Sequence, residues 1–402
     1  MSYPSPDAII SSLSGLSSAS FLSEADRIRV RDALFETLRK VQSPWDLAWE
    51  QNWVNPATNA AIKTLIDAGV FTKWNETNPD STKTCAQLAE MTGAEEELVR
   101  RMVRQVAAQK QLVEVGPDTY SQTPWSRAVG TVKPFPGMYG GFYHELNSPM
   151  FRTLPFYLGK TGFKNPTNVN DCNFQFWHDD PNANMFQYVG TNPKLTGHFN
   201  DAMECHSRYN LTPWPEVYPT DTVIAAAKEK AGKPLVVDVG GGKGHDLEKF
   251  LASHPDSVPE GSLILQDLPD ILRDVKPETS AISVQPHDFF TPQPDSVKGA
   301  RVYFMHNVLH DWPNPKALEI LKHIADAMEK GYSRLLIHES LVSSEKPLLR
   351  VTSSDITMMA CLAAAERSED EWHRLIKDAG MKVVKIWRPV QSVESVIEVE
   401  LA

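Results

Sequence analysis

The chain has 402 residues, more than one hydrophobic core usually serves, so at least two domains are expected. An apolar share of 41% and a charged share of 23% describe an ordinary globular protein, and a formal charge of −11 argues against nucleic acid or an anionic membrane as the main partner. Cys85, Cys172, Cys205 and Cys361 lie far apart without C-x-x-C spacing, no 18-residue apolar run occurs, and MSYPSPDAIISSLSG lacks a basic leader, which together lead us to expect a cytoplasmic protein with a small-molecule partner.

Taken in chain order, Ile28, Leu34, Leu38 and Val41 recur at helical intervals and predict an amphipathic helix from Ser23 to about Trp49. Pro56 opens a second helical run that Gly69 should stop. Exposed apolar faces of this kind pack either on their own domain or on a second copy of the chain. Residues 82–125 read as helix, turn, helix and hairpin, a winged-helix-like pattern. A DNA-binding reading would place Arg100, Arg101 and Arg104 in a groove, but Glu95, Glu96 and Glu97 open the same helix where phosphates would lie. Residues 130–215 are rich in aromatics, Pro, Asn and Gly, a composition suited either to gripping a flat apolar ligand or to plain core.

From about residue 220, short apolar runs alternate with helical segments: PLVVDVGG, HDLEKFLASH, SLILQDL, ISVQPHDF, RVYFMHNVL, PKALEILKHIADAM, RLLIHESLV, EWHRLIKDAG and MKVVKIW. This alternation predicts a parallel α/β sheet covered on both faces, with ligands beyond the carboxyl ends of its strands. Asp238, Asp267, Asp288, His310 and Glu339 each end a run and should ring one crevice. In VVDVGGGKGH, Gly240, Gly242 and Gly244 let the backbone turn tightly and approach a ligand, but they match neither the dinucleotide fingerprint nor a P-loop. Asp267 can take both hydroxyls of a ribose, while Asp288 and Phe289 offer an edge and a face to adenine, so the set suits adenosine without a polyphosphate.

RVYFMHNVLHDWPNP breaks an apolar run with His306 and His310, followed by Asp311. A metal reading needs a third ligand and usually a helical H-E-x-x-H face, and neither is evident, so no metal is expected. The pair is then either a catalytic base with a neighbour or two residues that end a strand.

DVGGGKGH, LQDLP, HDFF, FMHNVLHDW, IHESL and DITMMACLAAAERSEDEWHRLIKDAGM resemble, in order and spacing, the S-adenosylmethionine-dependent O-methyltransferases of the plant caffeate/chalcone type and their fungal relatives. The resemblance spans nearly the whole chain. It implies a Rossmann-like methyltransferase sheet with helices on both faces, in residues 221–402, and a mainly helical N-terminal domain, residues 1–130, that contains the winged-helix-like unit and forms a homodimer. Residues 131–220 would be a helical acceptor-binding connector. S-adenosyl-L-methionine is the implied cofactor and S-adenosylhomocysteine the product, with Gly240, Gly242, Asp267, Leu268, Asp288, Phe289, His306 and Ser207 as cofactor contacts. His310 would take the proton of the acceptor hydroxyl, Glu339 and Glu366 would lie beside it, and Asp311 would be positional. Phe199, Met203, Met358, Cys361 and Leu362 would line a pocket for an aromatic secondary metabolite. With pKa values of about 6.5 for imidazole and about 10 for a phenol, that proton transfer is uphill by roughly 5 kcal/mol, so the carboxylates must help. Some fungal members of the fold instead use the cofactor's charge to catalyse pericyclic or dehydration reactions, where His144 would offer a second polar group.

Overall fold

Ser23 and Pro44 decide how the chain begins. The Ser23 hydroxyl accepts the Asp26 N–H at 3.1 Å and starts the helix Glu24–Val41. The single helix predicted as far as Trp49 is interrupted, because a proline disfavours helical backbone in the residue before it. Ser43 is accordingly extended (ψ 161°) and caps a new helix, Pro44–Trp49, which continues through a π-helical turn, Glu50–Val54, into Asn55–Asp67. This computed structural model describes the chain apart from residues 1–4, 179, 181, 211, 228, 229, 231, 274 and 390–392 and the side chains of residues 24, 25, 207–210 and 227. Two compact units result, Met1–Thr131 and Val132–Ala402.

In the first unit, β1 (Lys83–Thr84), the helices Cys85–Thr92 and Glu96–Ala108, β2 (Leu112–Gly116) and β3 (Thr119–Gln122) follow in turn, and the strands pair antiparallel in the order β1-β3-β2. Arg100 and Arg104 each donate to Asp118 in the hairpin turn at 3.0 Å, and Arg100 also binds Glu96 and Glu97. Their charge is thus matched within the unit. Ile10, Leu34, Phe35, Leu38, Trp45 and Trp53 remain exposed on the preceding helices.

The second unit is built on β4 (Val236–Val239), β5 (Leu263–Asp267), β6 (Ile282–Pro286), β7 (Val302–His306), β8 (Arg334–Val342), β9 (Arg367–Ser368), β10 (Met381–Trp387) and β11 (Glu394–Leu401). The order is β10-β11-β8-β7-β4-β5-β6, with β9 on β8. Strands β4 to β8 run parallel, and β11 runs antiparallel to both β8 and β10. The antiparallel edge departs from the all-parallel expectation: EVEL and its neighbours pair back on the sheet through a short return after β10.

Side chains alternate across the sheet. Val237, Tyr303, Met305 and Ile337 pack under the helices Asn314–Ala327 and Glu369–Asp378, while Val236, Phe304 and Leu336 pack with Trp214 and Phe250 on the other face. Residues 132–220 belong to this same unit. Their helices Met138–Asn147, Ser148–Lys160, Asn173–His178 and Met185–Thr191 share a core with Ala360, Cys361 and Leu362.

All four residues of β4 are buried, and the chain leaves the strand through Gly240 at φ 76°. A Cβ on Gly240 would stand 2.9 Å from Val308 Cγ2, and one on Gly241 would stand 2.4 Å from Asp238 Cγ. Only glycine lets this turn pass so close to the strand end. Gly241→Ala is expected to destabilise the protein by about 1–3 kcal/mol through overpacking, read as a lower urea midpoint.

Candidate active site

The crevice at the carboxyl ends of β4 and β5 is shaped by backbone. Gly240 and Gly241 both donate to Gln266 O, at 2.9 and 3.0 Å, and Gly242 N–H donates to Asp267 Oδ2 at 2.9 Å. Asp267 Oδ1 takes the Leu268 N–H at 2.7 Å. Burial pushes the Asp267 carboxyl above its ordinary range, although these two N–H groups pull it down. The carboxyl of Asp238 is fully buried with no hydrogen-bond partner on either oxygen, and burial and the neighbouring Asp246 push it well above the carboxylate range. An unpartnered buried carboxyl beside a bare glycine turn is a polar group for a ligand to satisfy, which fits S-adenosylmethionine. Asp288 is exposed, with Oδ1 accepting the Phe290 N–H at 3.0 Å, and Phe289 packs edge-on against Trp312 at 6.0 Å. Leu268 is exposed, and the side chain of Ser207 lies outside the described residues.

His310 sits on a single 3-10 turn, Leu309–Asp311, just past β7. Its Nδ1–H donates to Glu366 Oε1 at 2.9 Å, and its Nε2 lies 3.6 Å from Asp311 Oδ1, too far for a hydrogen bond but close enough for charge to be felt. Burial alone would lower the imidazole pKa, but Asp311, Glu366 and Glu339 together outweigh it and hold the group at about 10. Burial in turn raises Asp311 to about 6 and Glu339 to about 7. Glu339 differs from its expected role beside the ring: Oε1 accepts the backbone N–H groups of Leu309 (2.7 Å) and His310 (3.2 Å). It holds the turn, and Glu366 holds the ring. Arg367, which sequence reading missed, ties the same turn down through Leu309 O (2.7 Å), Trp312 O (2.6 Å) and Asn314 Oδ1 (2.9 Å).

Rings form a string beside this turn. Phe142 and Phe199 lie 6.1 Å apart, Phe199 and Phe186 6.3 Å, Phe186 and Trp312 6.0 Å, and Met358 joins the same partly buried group. Phe142, Phe186 and Trp312 were not singled out from sequence; their clustering comes from three separate segments. Cys361 and Leu362, expected to line the pocket, are 2% and 1% exposed and pack in the core against which these rings lie. Met203 is exposed and outside the ring string, and His144 is half-buried in the helix Met138–Asn147, edge-on to Tyr143.

His306, expected as a cofactor contact, has both ring nitrogens engaged within the protein. Nδ1–H donates to Asp246 Oδ2 at 2.6 Å and Nε2–H to Glu394 Oε2 at 2.9 Å, leaving neither nitrogen for a cofactor. Burial opposes charge here as well, but Asp246 and Glu394 prevail and hold the ring at about 10, while Glu394, buried yet bound to His306, falls to about 2. Glu394 Oε1 further accepts from His206 Nε2 and Asn307 Nδ2, each at 3.1 Å. Among the described residues, His306, His338 and Glu394 have ligand atoms within 4.8 Å of one another, a spacing compatible with a metal. However, the two rings stack at 4.4 Å and 26°, so their nitrogen lone pairs run side by side and do not converge, and burial lowers His338 to about 4.

Residues 166–382 match the O-methyltransferase domain family. The O-methyltransferase mfmE of Annulohypoxylon moriforme is 35% identical over 98% of this chain and 96% of its own. The chain therefore belongs to the O-methyltransferase family, and it is an S-adenosylmethionine-dependent O-methyltransferase with fungal secondary-metabolite relatives. Among solved structures, one described as a pericyclic reaction enzyme superposes with a TM-score of 0.88 at 24% identity, covering 98% of this chain and 99% of that one. OxaC in complex with SAH and oxaline gives 0.81 at 24%, covering 98% and 97%. At such identity these two likenesses establish the fold.

The His306–Glu394 pair has a defined pH window. The depressed Glu394 contributes stability that is full above about 4.5 and lost as pH falls through about 2, and the raised His306 contributes stability that is full below about 6.5 and lost as pH rises through about 10. Glu394→Ala is expected to cost about 3–5 kcal/mol, measured by urea unfolding at pH 6, with the deficit shrinking as pH is raised to 10.

Proposed function

We propose that the protein methylates a hydroxyl group of an aromatic secondary metabolite, with His310 as the base. The observation that carries this reading is the His310 ring itself, oriented through Nδ1 by Glu366 and bordered at Nε2 by Asp311. S-adenosylmethionine, when bound, supplies the methyl group and a positive charge. Gly240, Gly242, Asp267 and Asp238 would hold it, with Asp288 and Phe289 toward the adenine. The string from Phe142 to Trp312 would stack on a planar acceptor.

The carboxylates around His310 match the base to the phenol, and the uphill step becomes the loss of the imidazolium's own proton, about 4 kcal/mol at pH 7. An imidazole held at about 10 is matched to a phenol of about 10, so sharing the proton costs little, whereas an ordinary imidazole would leave roughly 5 kcal/mol. Glu366 fixes the tautomer with the proton on Nδ1, and Nε2 accepts the hydroxyl proton.

The same charge favours a second reading. At neutral pH an imidazole held at about 10 is a cation and a proton donor, as a pericyclase or dehydratase would require, and the fold is shared with a pericyclic reaction enzyme. The first unit is read as a homodimer surface, supported by Leu34, Phe35, Leu38 and Trp45, which lie exposed on successive helices. Free, buried cysteines suit a cytoplasmic location, and no described helix is long and apolar enough to cross a membrane.

With labelled S-adenosylmethionine and a panel of phenols, a mass gain of one methyl group and release of S-adenosylhomocysteine are expected. His310→Ala should lower that release by about 10²-fold or more with little change in cofactor affinity by calorimetry. Because His310 and a phenol both hold protons at pH 7 and the reactive state has one fewer, kcat/KM should rise from pH 7 towards about 10. A product of unchanged mass, or one lighter by water, with no homocysteine product would establish the second reading instead. Leu34→Glu with Leu38→Glu should halve the mass seen by light scattering; wild-type protein that is already monomeric would remove the dimer.

A further inference from the structure

We infer that Ser354 is a positioning residue for the base: its hydroxyl shares the Glu366 oxygen that holds His310, and so sets how strongly that carboxylate draws on the imidazole. This rests on the reading of His310 as the base. Ser354 Oγ–H donates to Glu366 Oε1 at 2.6 Å, the same atom that accepts His310 Nδ1–H at 2.9 Å, while Glu366 Oε2 is buried with no hydrogen-bond partner. Two donors therefore compete for one oxygen in a dry site, although a second oxygen is available on the same carboxylate.

The behaviour of neighbouring hydroxyls marks Ser354 out. In the helix Leu349–Leu362, Thr352 and Ser353 donate back to Leu349 O, and Thr357 donates to Ser353 O. These are the ordinary back-bonds of helical Ser and Thr. Ser354 instead donates out of its helix, across to Glu366. Its neighbour Asp355 accepts the Glu366 backbone N–H at 3.0 Å. The helix that carries Met358 is thus fastened twice to Glu366, once at its carboxylate and once at its backbone N–H. A hydroxyl donated to a carboxylate stabilises its charge and weakens its pull on another proton. Ser354 tempers the Glu366–His310 pair, keeping the imidazole able to release its proton after each transfer.

Several other groups face His310 and stay in place when Ser354 is changed. They are Asp311 on its own turn, Glu339 from β8 and His206 from the helix Pro193–Asn210, while Asp355, Cys361 and Arg367 act on Glu366, Asp311 and Glu339 in turn.

The test is the titration of His310 followed by 15N imidazole NMR in the full chain without acceptor, together with the pH profile of methyl transfer. Ser354→Ala is expected to raise the His310 midpoint by about one unit and to move the rising limb of kcat/KM by the same amount, about tenfold slower at a fixed pH on the limb. Ser354→Thr, which keeps the hydroxyl, should restore both, whereas the equally shaped Ser354→Val should not. A midpoint unmoved in both Ser354→Ala and Ser354→Val overturns the inference even if the rate falls. The NMR measurement needs no methyl transfer, so absence of activity in the wild type would refute the reading of His310 as base and still leave the Ser354 effect decided.

Discussion

A nearly dry pocket ought to strip the charge from a histidine, and everything at this site follows from the way that tendency is reversed. Burial disfavours the imidazolium of His310, but Asp311, Glu366 and Glu339 surround it closely enough to overcome the loss of water. The result is an imidazole that keeps its proton far above the usual range for its residue type. It also means that no single carboxylate accounts for the property: one orients the ring, one lies along its other nitrogen and one grips the turn beneath it.

The sheet makes this crowding of charge mechanically possible. Glu339 projects from β8 onto the backbone of the turn after β7, and Arg367 from β9 reaches three acceptors on the same stretch, with its guanidinium 5.2 Å from the Trp372 ring. A buried guanidinium satisfied by fixed acceptors gives a rigid loop. Rigidity matters because stabilisation by oriented charge works only when the charges need not rearrange during the reaction. On the other face of the sheet, Asp246, His306 and Glu394 form a second buried ionic group that joins the helix after the glycine turn to the start of β11.

Much of this was readable along the chain, for identifiable reasons. Strands buried on both faces appear as continuous apolar runs, which is why VVDV, LILQD and VYFMH announced β4, β5 and β7. The glycine turn and the His-Asp pair carried their own local chemistry. By contrast, β11 went unnamed because ESVIEVEL alternates with glutamates, and Glu394 and Glu398 are buried only because partners from other segments meet them. The fate of His306 depended on residues 60 and 88 positions away, beyond any local pattern. The burial of Cys361 and Leu362 could not be read for a simpler reason: core and pocket use the same residue types, and only packing separates them.

The ring string and the His310 turn draw on different parts of the chain and meet at Trp312. Phe142, Phe186 and Phe199 come from helices that precede the sheet in sequence, whereas His310, Glu339 and Glu366 are fixed by the sheet and its connections. Substitutions along the rings of the earlier helices therefore leave the hydrogen bonds that fix the His310 turn untouched.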